Sequence, residues 1–159
     1  MAEGRSSGLR ITVTVILALI LAIVPLPEVL RPARPQLLLL LVIYWSLSSP
    51  RLAGLMFAWL CGLAIDVIKG PIFGQHAIAF AVVAYLTHKN QLRLRIFPIY
   101  QQTLWVFGLL AIYEFLVFWI DGIIGSPVTT WLRWLPVVTS AVLWPVLVAV
   151  LDTWNRSRR

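Results

Sequence analysis

Charged residues are scarce in this chain, and their scarcity indicates the class of protein. Only 12% of the 159 residues are Asp, Glu, Lys or Arg, whereas 60% are hydrophobic, and the mean hydropathy is +0.90. A soluble globular domain is about 45–50% apolar, so this composition predicts a protein whose apolar surface lies in lipid. Each membrane-spanning helix takes about 20 residues. Six such helices would use most of the chain, which leaves no room for a soluble catalytic or binding domain.

Other absences exclude several kinds of chemistry. The single cysteine, Cys61, excludes an internal disulfide. The two histidines, His76 and His88, lie about 18 Å apart along one predicted helix, so they cannot share a metal ion, and we predict no metal and no cofactor. The sequence contains no Walker loop, dinucleotide fingerprint or Ser/His/Asp set, which favours a protein without enzymatic activity.

Six hydrophobic runs predict six membrane-spanning helices in one domain, residues 1–159. We interpret the first run as a retained span rather than a signal peptide, because it has no clear cleavage site and five more apolar runs follow it. The predicted fold is therefore an all-α integral membrane protein, a six-helix bundle. The spans cover about residues 11–26, 35–48, 52–68, 72–88, 103–124 and 135–151.

The basic residues predict the orientation of this bundle. Six spans place both termini on one side, and that side carries nine Lys and Arg residues against four on the other. Lys and Arg are enriched in cytoplasmic loops, so both termini are predicted to be cytoplasmic. No basic helix interleaved with aromatics lies outside the membrane, so the net charge of +7 does not indicate nucleic-acid binding.

The largest predicted internal loop, residues 88–100, is basic. Its Lys89, Arg93 and Arg95 are candidate contacts for a cytoplasmic partner or for anionic membrane lipid. The alternative is that these cations only hold the topology.

Small residues recur on one face of the third predicted span. Gly54, Ala58, Gly62 and Asp66 follow one another at intervals of four, which places them on one helical face. Small residues let helices approach closely in lipid, so we predict that the stretch 54–74 is the packing centre of the bundle, or else a docking face for another protein. Asp66 is expected near the outer membrane surface, where it could reach headgroup water and Lys69.

Glu114 is the carboxylate predicted to lie deepest in the membrane. It follows the start of the fifth span by roughly 16 Å, and a charge at that depth costs roughly 2.5–3.5 kcal/mol. Two interpretations stay open: a neutral or hydrogen-bonded carboxyl that locks the bundle, or a contact for a ligand, a proton or a partner.

Several stretches, in order along most of the chain, resemble the MreD family, and the GQH and RLRIFP segments resemble its proteobacterial branch. Gly62, Asp66, Gly70 and Gly74 form the most specific pattern, G-x-x-x-D-x-x-x-G-x-x-x-G. The resembling stretches are Arg34-Pro35 with LLLLLVIYW, GLMFAWLCGLAIDVIKGPIFGQHAIAF, VAYL at 83–86, RLRIFPIYQQ, YEFLVFW and LWP at 143–145.

This resemblance implies a non-enzymatic protein of the bacterial inner membrane. It implies binding to the periplasmic scaffold MreC, and work with MreB, a SEDS-type polymerase and a class B penicillin-binding protein in peptidoglycan synthesis and rod shape. It also implies a bundle similar to the substrate-binding subunits of energy-coupling-factor transporters. It supplies no binding residues, so Asp66, Gly74 and Glu114 are candidates on physical grounds.

Two other functions are compatible with parts of the sequence. A substrate-capture subunit of a small-molecule transporter could present Ala18 and Ala22 to a coupling protein, although the short outer links supply few polar groups for a ligand. An intramembrane aspartyl peptidase could use Asp66 and Asp121 if their carboxylates shared a proton.

Overall fold

The protein is all-helical in the residues that the computed structural model describes, 2–70, 72–125 and 130–156. This confirms the predicted all-α class. Short 3₁₀ turns, Arg31–Ala33 and Trp131–Trp134, precede the second and sixth α-helices. The α-helices are α1 (Ala2–Ile23), α2 (Leu37–Ser48), α3 (Leu55–Lys69), α4 (Gln75–Ile96), α5 (Ile99–Ile124) and α6 (Leu135–Arg156).

The basic segment predicted as a loop is helical. Helix α4 continues to Ile96, and α5 begins at Ile99 after a link of only two residues, Phe97 and Pro98. Pro98 has no backbone N–H and disfavours helical geometry in the residue before it, so it separates two helices without needing a loop. Lys89, Arg93 and Arg95 therefore lie on the last turns of α4.

Helix α2 is the most completely buried of the described helices. Every residue from Leu38 to Leu47 is buried, whereas α3 leaves Met56 and Val67 exposed. A helix that is apolar on all faces can be buried on all faces, and α2 is such a helix. Small residues indicate a close helix contact, and the most extensive contact between described helices is that of α3 with α4, so a packing centre at 54–74 stays a prediction.

That close contact lies between α3 and α4, at Gly62. A Cβ atom added to Gly62 would lie 2.5 Å from the Cα atom of Ala77, so only glycine permits this approach. Ala58 is fully buried on the same helix. Gly54 precedes α3 and has open space where a Cβ atom would lie. The close contact of the small-residue face is therefore made at Gly62 and not at Gly54.

The helices alternate in direction, and the start of α1 lies beside the end of α6. Arg10 donates a hydrogen bond to Asn155, and Tyr44, near the end of α2, donates one to Asp152 of α6 at 2.6 Å. We call the end of the bundle that holds the start of α1 and the end of α6 the terminal end. This alternation is the arrangement expected if every helix crosses a membrane in turn.

Two of the described helical segments are long and apolar enough to cross a membrane, Ile99–Ile124 and Trp131–Arg156. A shorter apolar segment, Ser7–Ile23, belongs to α1. Large apolar side chains such as Leu104 and Val142 also lie exposed on the outside of the bundle. Contiguous exposed apolar surface fits contact with lipid or another protein, and six spans stay a prediction.

Candidate functional site: a charged cavity

A cavity of about 1140 Å³ opens at the end of the bundle opposite the termini. We call this end the cavity end. The walls come from the ends of α1 and α3, the starts of α2 and α4, α5, and the segment before α6. The sequence suggested too few polar groups for a ligand site because the outer links are short. The structure differs, since most of the polar groups come from the helices themselves: Lys69, Gln75, His76, Tyr113, Glu114 and Asp121.

Arg133 pairs with Glu114, the carboxylate that the sequence predicts to lie deepest in the membrane. Its Nε donates to Glu114 Oε1 at 2.7 Å, and its Nη2 donates to Asp121 Oδ2 at 2.5 Å. Gln36 Nε2 donates to the second oxygen of Glu114 at 3.0 Å, and Gln75 Nε2 donates to Asp121 Oδ1 at 2.6 Å. Glu114 is only 6% exposed, so this network meets the requirement that a buried charge be paired.

Sequence reasoning did not find the partner of Glu114. Arg133 was assigned to an outer link, on the same side as Lys69 and away from the middle of the membrane. The 3₁₀ turn that contains Arg133 lies against α5, which lets the long side chain reach inward. One signal was present, because Arg133 is the only Lys or Arg between Arg95 and Arg156.

The side chain of Asp66, at the end of α3, caps the N-terminus of α4. Its Oδ1 accepts hydrogen bonds from the backbone N–H of His76 at 2.9 Å and pairs with His76 Nδ1 at 2.8 Å. Its Oδ2 accepts from the N–H groups of Gly74 at 2.9 Å and Ala77 at 3.2 Å. A carboxylate is favoured at a helix N-terminus, where backbone N–H groups lack partners.

This burial corrects the expectation that Asp66 would reach headgroup water and Lys69. Asp66 is 2% exposed, and all of its described partners belong to the start of α4. Gly74 has a φ of 96°, in the left-handed region that glycine adopts without steric cost. The Asp66–Gly74 part of the predicted motif therefore builds the turn that aims N–H groups at the carboxylate.

The three candidate cations on α4 do not share one environment. Lys89 and Arg93 are exposed at the terminal end. Arg95 is exposed as well, but its Nε donates a hydrogen bond to the backbone carbonyl of Leu47 at 2.7 Å. That carbonyl belongs to the last turn of α2, where backbone acceptors have no partner within the helix. Arg95 is thus committed to the fold, while Lys89 and Arg93 remain available to a partner.

The contacts of the two outer acids do not support an aspartyl peptidase. Asp66 is bonded to the start of α4, and Asp121 to Gln75 and Arg133. A shared-proton dyad needs two carboxyl groups in contact with each other. No hydrogen bond joins these two within the described ranges.

Comparison with known proteins places the chain in a family. A family model for rod shape-determining protein MreD matches residues 6–153. The chain belongs to the MreD family. It is also similar to the rod shape-determining protein MreD of Haemophilus influenzae, with 29% identity over 130 residues that cover 82% of this chain and 80% of that protein.

The match confirms the resemblance to MreD. It includes all six α-helices, apart from the first residues of α1 and the last residues of α6. It assigns the chain to a family involved in rod-shape determination. No solved structure gives a significant match, so the similarity to energy-coupling-factor subunits stays a prediction.

Proposed function

We propose that this MreD-family chain is a non-enzymatic scaffold of the bacterial elongation complex. It crosses the inner membrane six times, binds MreC on the outer side, and helps to control peptidoglycan synthesis and rod shape. The observation that carries the proposal is the family match over residues 6–153, which spans nearly the whole chain. A chain that is mostly bundle acts through its surfaces, so binding is the activity that it can supply.

The helix arrangement supports six spans. The alternation of α1 to α6 brings the termini to one end, and the exposed basic residues of α4 lie there too. Helix α2 has 12 residues, about 18 Å of helix, less than the roughly 30 Å of a hydrocarbon core. Because the other helices surround α2, its ends can lie in protein rather than in lipid.

Each end of the bundle offers a different partner surface. At the cavity end the links before α2 and α4 expose the apolar side chains Val29 and Phe73, which suit a membrane-proximal segment of MreC. At the terminal end the exposed cations Lys89 and Arg93 suit acidic groups of MreB, of cytoplasmic segments of the polymerase or penicillin-binding protein, or of lipid.

Co-purification from detergent-solubilised membranes tests this proposal. Wild-type chain should capture MreC, and the pair Val29→Asp and Phe73→Asp should weaken capture, since charge would replace apolar contacts. Tyr100→Asp, at an exposed aromatic on the terminal end, is the matched control and should leave capture unchanged. Failure of the wild-type chain to capture MreC would overturn the scaffold role.

Substrate capture for a transporter is the second candidate, and the cavity is the observation that favours it. The predicted coupling face counts against it, because Ala18 is 4% exposed and Ala22 lines the cavity. Both residues face into the bundle, so they are not presented to a separate coupling protein.

A further inference from the structure

The residues that line the cavity include polar atoms without a hydrogen-bond partner among the described residues. Tyr113 is 3% exposed, and its hydroxyl makes no hydrogen bond to any described residue. His76 is 6% exposed and uses Nδ1 on Asp66, which leaves Nε2 without a described partner. The Oε1 atom of Gln36 is buried and unpartnered among the described residues. Polar atoms inside proteins usually have hydrogen-bond partners, so the Tyr113 hydroxyl and His76 Nε2 are available to a molecule that binds in the cavity.

The charges around the cavity indicate the sign of that molecule. Both lining carboxylates, Glu114 and Asp121, are already bonded to Arg133. Lys69 has no ion pair with a described residue, although it interacts electrostatically with Glu114 and Arg34. The lining therefore has an excess of two positive charges, because its acids are Glu114 and Asp121 and its cations are Arg31, Arg34, Lys69 and Arg133.

The remaining walls are apolar. They are formed by Leu21 of α1, Leu26 after α1, Leu37 and Leu38 of α2, and Ile65 of α3. The volume of about 1140 Å³ exceeds the usual range of about 300–1,000 Å³ for small-molecule sites. A molecule that fits must therefore combine a charged group with a substantial apolar part.

We propose that this cavity binds an anionic amphiphile, whose phosphate or carboxylate lies between Arg34 and Lys69 and whose apolar part packs against α1 and α2. The Tyr113 hydroxyl donates a hydrogen bond to the bound headgroup. A cationic ligand is disfavoured because Arg133 already occupies the acids. The site opens at the cavity end, so an acidic lipid enters it from the outer leaflet. The leaflet rests on the proposed orientation in the membrane, but the ligand does not depend on the capture of MreC.

Native mass spectrometry of the purified chain in detergent tests the assignment, with dioleoyl-phosphatidylglycerol as the probe. Dioleoyl-phosphatidylcholine has the same tails without the net charge, and inorganic phosphate has the charge without the tails. Wild-type chain should retain phosphatidylglycerol about tenfold more tightly than phosphatidylcholine, a difference of ordinary size for a paired charge. Phosphate alone should give no stabilisation in a thermal unfolding assay.

Variants locate the bound headgroup. Lys69→Gln and Arg34→Gln, singly and together, should remove the preference for phosphatidylglycerol. Tyr113→Phe, which deletes only the hydroxyl, should reduce the retention of phosphatidylglycerol by a few fold. The double variant Lys89→Gln, Arg93→Gln removes the same charge from the terminal end and should keep the full preference.

Three results would overturn the proposal. Equal retention of the two lipids would show that charge does not select the ligand. Equal loss in the Lys89/Arg93 control would show binding by general surface charge. Stabilisation by phosphate without retention of the lipid would show a free-anion site. Tyr113→Phe preserves the bundle, so the question stays decidable if Arg34→Gln, which also removes a hydrogen bond to Leu21, fails to fold.

Discussion

The two ends of this bundle differ in their ion pairs, because every ion pair between described residues lies at the cavity end. At the cavity end Arg133 is consumed inside the protein by Glu114 and Asp121, and Asp66 is consumed by the start of α4. At the terminal end Lys89 and Arg93 remain outside and unpaired among the described residues. Paired charge at the cavity end therefore stabilises the fold beside the unpaired Lys69, whereas at the terminal end Arg95 caps α2 and Lys89 and Arg93 are available to orient and dock the protein.

The largest effect is expected from Arg133→Gln at the cavity end. It leaves Glu114 buried without its cation, and breaking a buried pair in this way costs about 3–5 kcal/mol. Unfolding of the purified variant in detergent, monitored by circular dichroism, would measure the loss. Arg156→Gln, at an exposed cation of the terminal end, is the control and should change stability by less than about 0.5 kcal/mol.

The double variant Glu114→Gln, Arg133→Gln separates charge from packing. Both partners are then neutral, so much of the stability lost in Arg133→Gln should return. No recovery would mean that Arg133 stabilises the bundle through its packing on Phe118 or through Asp121, and not by neutralising Glu114.

Asp66→Asn should have the next largest effect. It removes the negative charge that four hydrogen bonds share at the start of α4, and bonds to charged groups contribute about 1.5–3 kcal/mol. Asp152→Asn at the terminal end loses charge at one described bond, from Tyr44, and should cost less. Similar losses of unfolding free energy in the two variants would contradict a special role for the cavity end.

Gly62→Ala should separate α3 from α4. The new Cβ atom meets backbone atoms of Ala77 and His76, and overpacking of this kind costs about 1–3 kcal/mol. Gly108→Ala on α5 meets open space and should stabilise the helix by roughly 0.5–1 kcal/mol. Opposite signs in the two melting temperatures are the expected result.

The smallest effect on stability is expected from Lys89→Glu with Arg93→Glu. Exposed substitutions of this kind stay within about 0.5 kcal/mol, but the double variant should weaken association with cytoplasmic members of the elongation complex. Arg95 is left intact because it caps α2. Unchanged capture of every such member would leave these cations with a topological role only.

The sequence predicted the helices better than their contacts. Hydrophobic runs and prolines located all six α-helices, but the apolar run of α2 could not show whether protein or lipid surrounds it. Spacing placed Asp66, Gly70 and Gly74 in one motif, although it could not show that the carboxylate turns back onto α4. The Arg133–Glu114 pair depends on how a link lies against α5, which no local pattern encodes.

The account rests on alternating helices that place the two ends on opposite sides of a membrane. A chain with Cys61→Ala as background and a single new cysteine, Arg93→Cys or Arg31→Cys, would be treated in intact cells with a maleimide that cannot cross the inner membrane. Position 31 should be labelled in intact cells, and position 93 only after the membrane is opened. Labelling of both positions in intact cells, or of neither, would contradict the arrangement.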